Sequence, residues 1–158
     1  MLGSIINFVK LPFLLITIWA VLRFSMGVFF GVDYAPRGNA MFSVYSIMFI
    51  SSLYYGAMSN KTGGYSWLGT FLVGVVIGAF AQVLILVFSV ISLGAGLETS
   101  YYIHWDSVNI PEGEQLTMGS LLLNRVFGIV VNGLIMGVAA IVGRAAFSKF
   151  APGSAAQV

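Results

Sequence analysis

The sequence predicts an all-α integral membrane protein, a four-transmembrane-helix bundle with cytoplasmic N- and C-termini. One extracytoplasmic loop of about 20 residues, 98–117, joins helices 3 and 4. Composition is the first reason. Hydrophobic residues make up 59% of the 158 positions and charged residues 8%, where soluble domains carry roughly 25%. Seven Lys and Arg with five Asp and Glu are too few to cover such a chain against water. The second reason is four long apolar stretches, and the third is a segregation of charge between the connectors. Residues 1–150 read as a single transmembrane domain and 151–158 as a flexible tail.

The first helix is expected at about 11–32, near the roughly 20 residues needed to cross 30 Å of hydrocarbon. Residues 1–9 read as a short amphipathic lead-in along the interface. Lys10 and the apolar run 11–22 would suit a signal peptide. Arg23 follows without a small-x-small site, however, and the run resumes to Val32, so a retained helix is expected. The connector 33–39 holds two breakers, Pro36 and Gly38, and Asp33 and Arg37 suit a local ion pair at the outer surface.

The second helix is expected at about 40–58, followed by a short turn around Asn60, Gly63 and Gly64. Asn60-Lys61-Thr62 matches a glycosylation sequon but falls on the side assigned to the cytoplasm, so it reads as a chance match. The third, at about 67–97, exceeds the required length and is expected to tilt or to stop at Gly94-Ala95-Gly96. The fourth is expected at about 118–143. These runs do not alternate and are too long for barrel strands. No internal repeat supports an inverted-repeat transporter.

Charge sets the orientation. Lys10, Lys61, Arg144 and Lys149 fall on one side of a four-crossing chain. Asp33, Glu98, Asp106, Glu112 and Glu114 fall on the other. Basic residues mark the cytoplasmic side, and a plasma or inner membrane is the expected location.

Three small-xxx-small pairs are candidate helix-packing positions: Gly27 with Gly31, Gly74 with Gly78, and Gly133 with Gly137. Helices in lipid associate through close backbone approach, which glycine permits. Packing within the chain is preferred over self-association. Helical spacing puts Arg23 on the stripe of Gly27 and Gly31, and Gln82 on that of Gly74, Gly78 and Ser89. Arg125, Gly128 and Asn132 align on the fourth helix with Asn124 at the edge. Phe13, Leu72 and Ile77 are then expected to face lipid. Tyr65, Trp67, Tyr101, Tyr102 and Trp105 are candidates for interfacial belts.

Arg23, Gln82, Asn124, Arg125 and Asn132 are the candidate partner or ligand contacts within the membrane. Arg23 lies midway along its helix, where an arginine costs roughly 2.5–3.5 kcal/mol on insertion scales. No Asp or Glu occurs inside any expected span. Arg23 therefore either donates to carbonyls and polar side chains of neighbouring helices or serves an anion, a lipid phosphate or a carboxylate of another subunit. Arg125 is shallow enough to snorkel outward.

The same sequence disfavours several classes. Without cysteine there is no thiolate chemistry or disulfide, and the single histidine, His104, rules out haem held between two histidines of one chain. The spans lack the carboxylates used by ion-coupled transporters. No H-E-x-x-H motif, intramembrane Asp pair or intramembrane histidine is present. His104 and Asp106, two apart in a loop, are expected to pack or cap and not to bind metal. No catalytic residue, cofactor or metal is expected. Nucleic-acid binding is not expected either, at a net charge of +2. The expected partners are the bilayer and other membrane subunits or a second copy. Three functions are carried forward: a non-catalytic subunit or scaffold, a small transporter or channel for an anion or polar solute, and a lipid-binding protein.

Overall fold

The computed structural model describes residues 1–34 and 42–151, and every regular element among them is helical. The expected breakers Pro36 and Gly38, the Arg37 end of the ion pair, the start of the second helix at residue 40 and the tail 152–158 lie outside the described residues. The elements are α1 (Leu2–Phe8), α2 (Lys10–Val28), α3 (Val44–Met58), α4 (Trp67–Gly94), α5 (Trp105–Val108) and α6 (Met118–Phe147), with a closing 3-10 turn (Ser148–Phe150). Three of these, α2, α4 and α6 with its closing turn, are long and apolar enough to cross a membrane. The chain is thus a transmembrane helical protein. At 15 residues α3 is shorter, about 22 Å along its axis.

Local chemistry sets the helix ends. α1 and α2 are nearly continuous through Val9, whose N–H donates to Ile5 O at 3.0 Å while its carbonyl accepts from Phe13 N at 3.1 Å. Pro12 sits in the first turn of α2, where a missing N–H costs nothing. α2 stops at Val28, four residues short of the expected 32, because Gly31 at φ +61° turns the chain back and Val32 N donates to Met26 O. α4 stops at Gly94 in a Schellman closure: Gly96, at φ +64°, donates to Leu93 O, and Leu97 N reaches Ser92 O. At the start of α6, Thr117 and Ser120 form a reciprocal capping box. α6 runs on to Phe147, past the expected 143, with Arg144 in its last turn donating to Tyr65 O and Thr70 Oγ1, both at 2.8 Å.

α4 is the central helix and touches α1, α2, α3 and α6, its pairing with α6 being the most extensive in the molecule. That position overturns one expectation: Ile77 is completely buried in the core with Val73, Ala81, Met48 and Met136 and does not face lipid. Phe13 and Leu72 are part-buried against the same core, Phe13 stacking on Phe80 at 4.0 Å. Polar groups are buried while large apolar side chains line the outside. Ser51, Ser52, Ser59, Thr70, Ser89, Ser92, Arg23 and Arg125 are buried, whereas Leu14, Leu123, Phe127 and Val130 are exposed. Lipid contact accounts for that distribution, because hydrocarbon favours apolar surface and leaves polar side chains to bond within the protein.

The glycines divide by role. A side chain at Gly74 would strike the Met136 carbonyl, one at Gly78 would lie 2.9 Å from Asn132 O, and one at Gly137 would meet the Phe71 ring at 2.5 Å. Gly56 and Gly143 make equally close approaches to Ala140 and Leu53 across the α3–α6 crossing. Gly133 is looser, 3.7 Å from Val75 O. Gly27 packs not on a helix but on Thr99 and the Tyr101 ring of the following loop. Gly31 lies past the end of α2 with open space around it and serves the turn, so the pairing of Gly27 with Gly31 as a helix-packing motif does not hold.

α1, the closing 3-10 turn and the α3–α4 turn gather at one end of the molecule. Ser4 and Tyr65 share a hydroxyl hydrogen bond of 2.9 Å, and Lys61 Nζ donates to Lys149 O and Ala151 O. Phe8 packs edge-on against Tyr55 and Tyr65, so α1 rests on this end of the helices.

Candidate functional site

The loop 95–117 at the opposite end folds inward. Tyr101 and Tyr102 are each 1% exposed and insert among the helices, which corrects their expected place in an interfacial belt. The Tyr102 hydroxyl donates to Ala20 O at 2.9 Å and its ring stacks on Phe88. Tyr101 donates to Val32 O at 2.6 Å. Ser92 and Ser100 share a 2.6 Å hydrogen bond that fastens the loop to α4. The loop is held by satisfied polar groups as much as by burial.

This arrangement surrounds Arg23. Its guanidinium lies 5.4–5.7 Å from the ring centres of Tyr34, Tyr101 and Tyr102, and Nη1 donates to Phe42 O at 3.1 Å. Rings offering their negative faces stabilise a desolvated guanidinium by up to about 2 kcal/mol each. Arg125 is 8% exposed and does not snorkel. It turns into the molecule: Nε donates to Ser89 Oγ at 3.0 Å, Nη1 to Ser107 O at 2.8 Å, and Nη2 to Tyr102 O at 2.7 Å. These bonds tie α4, the loop and α6 together. One Nη1 hydrogen of Arg125 remains unassigned to a described acceptor.

All five polar residues singled out in the sequence line one cavity. Arg23 from α2, Gln82 from α4, and Asn124, Arg125 and Asn132 from α6 surround a space of about 310 Å³. Asn124 Nδ2 is spent on Val108 O at 3.2 Å and Asn132 Nδ2 on Gly128 O at 3.0 Å, which leaves their carbonyl oxygens available. Gln82 is 5% exposed, and its amide makes no hydrogen bond to any described residue. Among the described residues, no Asp or Glu lines the cavity. The described wall thus offers two guanidinium groups, the Gln82 amide and the carbonyl oxygens of Asn124 and Asn132.

Sequence spacing gave no sign that Tyr34, Ser43, Tyr45, Ser107 and Asn109 also line the cavity. Asn109 carried the one local signal: it holds φ +58°, a conformation asparagine tolerates, and ends α5 there. Tyr34 bridges the cavity to the loop. Its hydroxyl donates to Asp106 Oδ2 at 3.0 Å and its ring stacks on His104 at 3.8 Å. Burial, with help from the Asp106 carboxylate, pushes the Tyr34 phenol up to about 12, and burial also raises Tyr102. Burial lowers His104 below its ordinary 6.5, against the opposing pull of Asp106 and Glu112. His104 Nδ1 accepts from Asp106 N at 3.3 Å and so caps α5. Comparison of the chain with protein-family models, with curated proteins and with solved structures finds no match.

Proposed function

We propose that this chain is a non-catalytic multi-pass protein of a plasma or inner membrane that binds an anionic group in the arginine-lined cavity. In this reading α2, α3, α4 and α6 all cross, and both termini are cytoplasmic. The gathering of Ser4, Lys61, Tyr65, Arg144 and Lys149 at one end supports that sidedness, because basic residues favour the cytoplasmic face. The loop 95–117 then caps the outer end.

One observation carries the reading: Arg23 and Arg125, each less than a tenth exposed, face a shared polar cavity whose described lining holds no carboxylate. Two buried cations placed together repel one another and cost desolvation. An anion between them offsets both terms. The glycine faces do not add support to the scaffold reading. Gly56, Gly74, Gly78, Gly137 and Gly143 are already occupied by helices of this chain, so those faces are not open to another subunit.

The test is anion-specific stabilisation. In delipidated protein held in an uncharged detergent, phosphate or sulfate is expected to raise the unfolding temperature above that in chloride at equal ionic strength. A ligand at 100 times its Kd contributes about 2.7 kcal/mol. Gln82→Leu, which alters the cavity wall without breaking a described hydrogen bond, is expected to remove the effect. If neither small anions nor anionic amphiphiles stabilise the protein, the reading is wrong.

A further inference from the structure

The polar cavity is one end of a longer feature. Tyr45 lines both the cavity and a shallow depression beside α3, and Phe49 lines that depression and a third concavity as well. This third space, about 370 Å³, lies between α3 and α6 and is walled only by Phe49, Leu53, Leu134, Ile135, Val138, Ala139 and Val142. Tyr45, Phe49 and Leu53 follow one another at i+4 along α3. Gly128, Asn132, Ile135, Ala139 and Val142 do so at alternating i+4 and i+3 along α6. A single seam between two helices therefore changes from cationic and amide-lined at one end to wholly apolar at the other.

We infer that the occupant of this seam is a membrane phospholipid with an anionic headgroup, its phosphate between Arg23 and Arg125 and one acyl chain in the α3–α6 groove. This rests on the anion-binding reading above and names its ligand. Charge complementarity argues for the headgroup. The geometry argues for the tail, since the seam runs from Arg125 to Val142 over about 25 Å of helix, within a hydrocarbon core of about 30 Å. Phe49, Leu134, Ile135 and Val138 keep 39–57% of their surface exposed, so a chain enters sideways from the bilayer without the helices parting. A free inorganic anion uses the cavity but leaves the apolar half of the seam unexplained.

Native mass spectrometry of the full chain, released from detergent containing equal amounts of phosphatidylglycerol and phosphatidylcholine with matched acyl chains, tests this. The expected result is one retained phosphatidylglycerol, favoured at least tenfold over phosphatidylcholine. Gln82→Leu should lose that preference through the head site. Val138→Trp should lose it by filling the groove, while leaving stabilisation by inorganic phosphate unchanged. Val138 is 57% exposed, so this change leaves the core intact, and an unaltered unfolding temperature verifies it. Equal retention of the two lipids, or a preference that survives Val138→Trp, overturns the lipid assignment. Stabilisation by phosphate without lipid retention overturns it as well but leaves the anion site standing. Absence of both removes the anion site too.

Discussion

The hydroxyl of Tyr102 reaches the carbonyl oxygen of Ala20 at 2.9 Å, joining a loop residue to the middle of a transmembrane helix 82 positions earlier in the chain. Ala20 O remains available to its own helix, so the loop bond is an added one. Tyr102→Phe is therefore expected to cost only about 1 kcal/mol. Tyr102→Ala removes a completely buried ring that stacks on Phe88 and lies beside Arg23, and is expected to cost about 3–5 kcal/mol. Thermal or denaturant unfolding of both variants in one detergent measures the difference. Equal losses would show that the hydroxyl, not the ring, holds the loop.

Glycine substitutions should separate close helix crossings from turns. Gly74→Leu and Gly56→Leu place a side chain against the backbones of Met136 and Ala140, where a flexible tip cannot give way. Loss of the folded monodisperse species in size-exclusion chromatography is expected for both. Gly133→Ala meets only ordinary contacts at 3.7 Å and is expected to be neutral within about 0.5 kcal/mol. Gly31→Ala has space but holds φ +61°, and should cost about 1–2 kcal/mol for a left-handed alanine.

These positions show how much the sequence alone made legible. Composition and run length located the long apolar helices, because the demand for internal hydrogen bonding in lipid is written into every residue of a span. The same periodicity that aligned Arg125, Gly128 and Asn132 placed five polar residues around what proves to be one cavity. Loop geometry was not legible. Tyr101 and Tyr102 look like belt residues until the chain is seen to fold back over α2 and α4, a long-range event with no local signature. Ile77 was misplaced for a related reason: a helix surrounded by neighbours has no lipid face at that level, and hydropathy does not distinguish a central helix from a peripheral one. Gly31 shows the limit of motif spacing, since a glycine four residues after another is equally a helix terminator.

Arg125 should prove irreplaceable by lysine. Its guanidinium serves Ser89 Oγ, Ser107 O and Tyr102 O at 2.7–3.0 Å in three directions, and a point ammonium on a longer stem does not reproduce that fork. Arg125→Lys is expected to cost about 1–3 kcal/mol, the scale of acceptors left unsatisfied. Arg125→Met should cost at least as much and also free the loop. Hydrogen exchange at residues 102–108 checks this directly. Exchange in Arg125→Lys that matches the wild type would mean the loop is held by its tyrosines alone.

The stack of Tyr34 on His104 makes the loop 95–117 sensitive to pH in two separate windows. Burial lowers His104 in the folded protein, so the unfolded chain takes up a proton first as the solution is acidified. The stability associated with neutral His104 is fully present above its unfolded value of 6.5 and is lost as pH falls through the lower folded value. Tyr34 behaves oppositely. Its phenol is raised from 10.0 to about 12 by burial and by Asp106, so its contribution is intact below pH 10 and disappears as pH rises toward 12. Unfolding temperature measured from pH 5 to 8, with Trp105 fluorescence reporting on the cap, should therefore fall below about pH 6.5 in the wild type. In His104→Asn, which keeps a side-chain acceptor for the α5 cap but does not titrate, the curve should be flat across the same interval. A wild-type curve that is flat there, or a variant that falls in parallel, would place the acid sensitivity elsewhere than in the His104–Tyr34 stack.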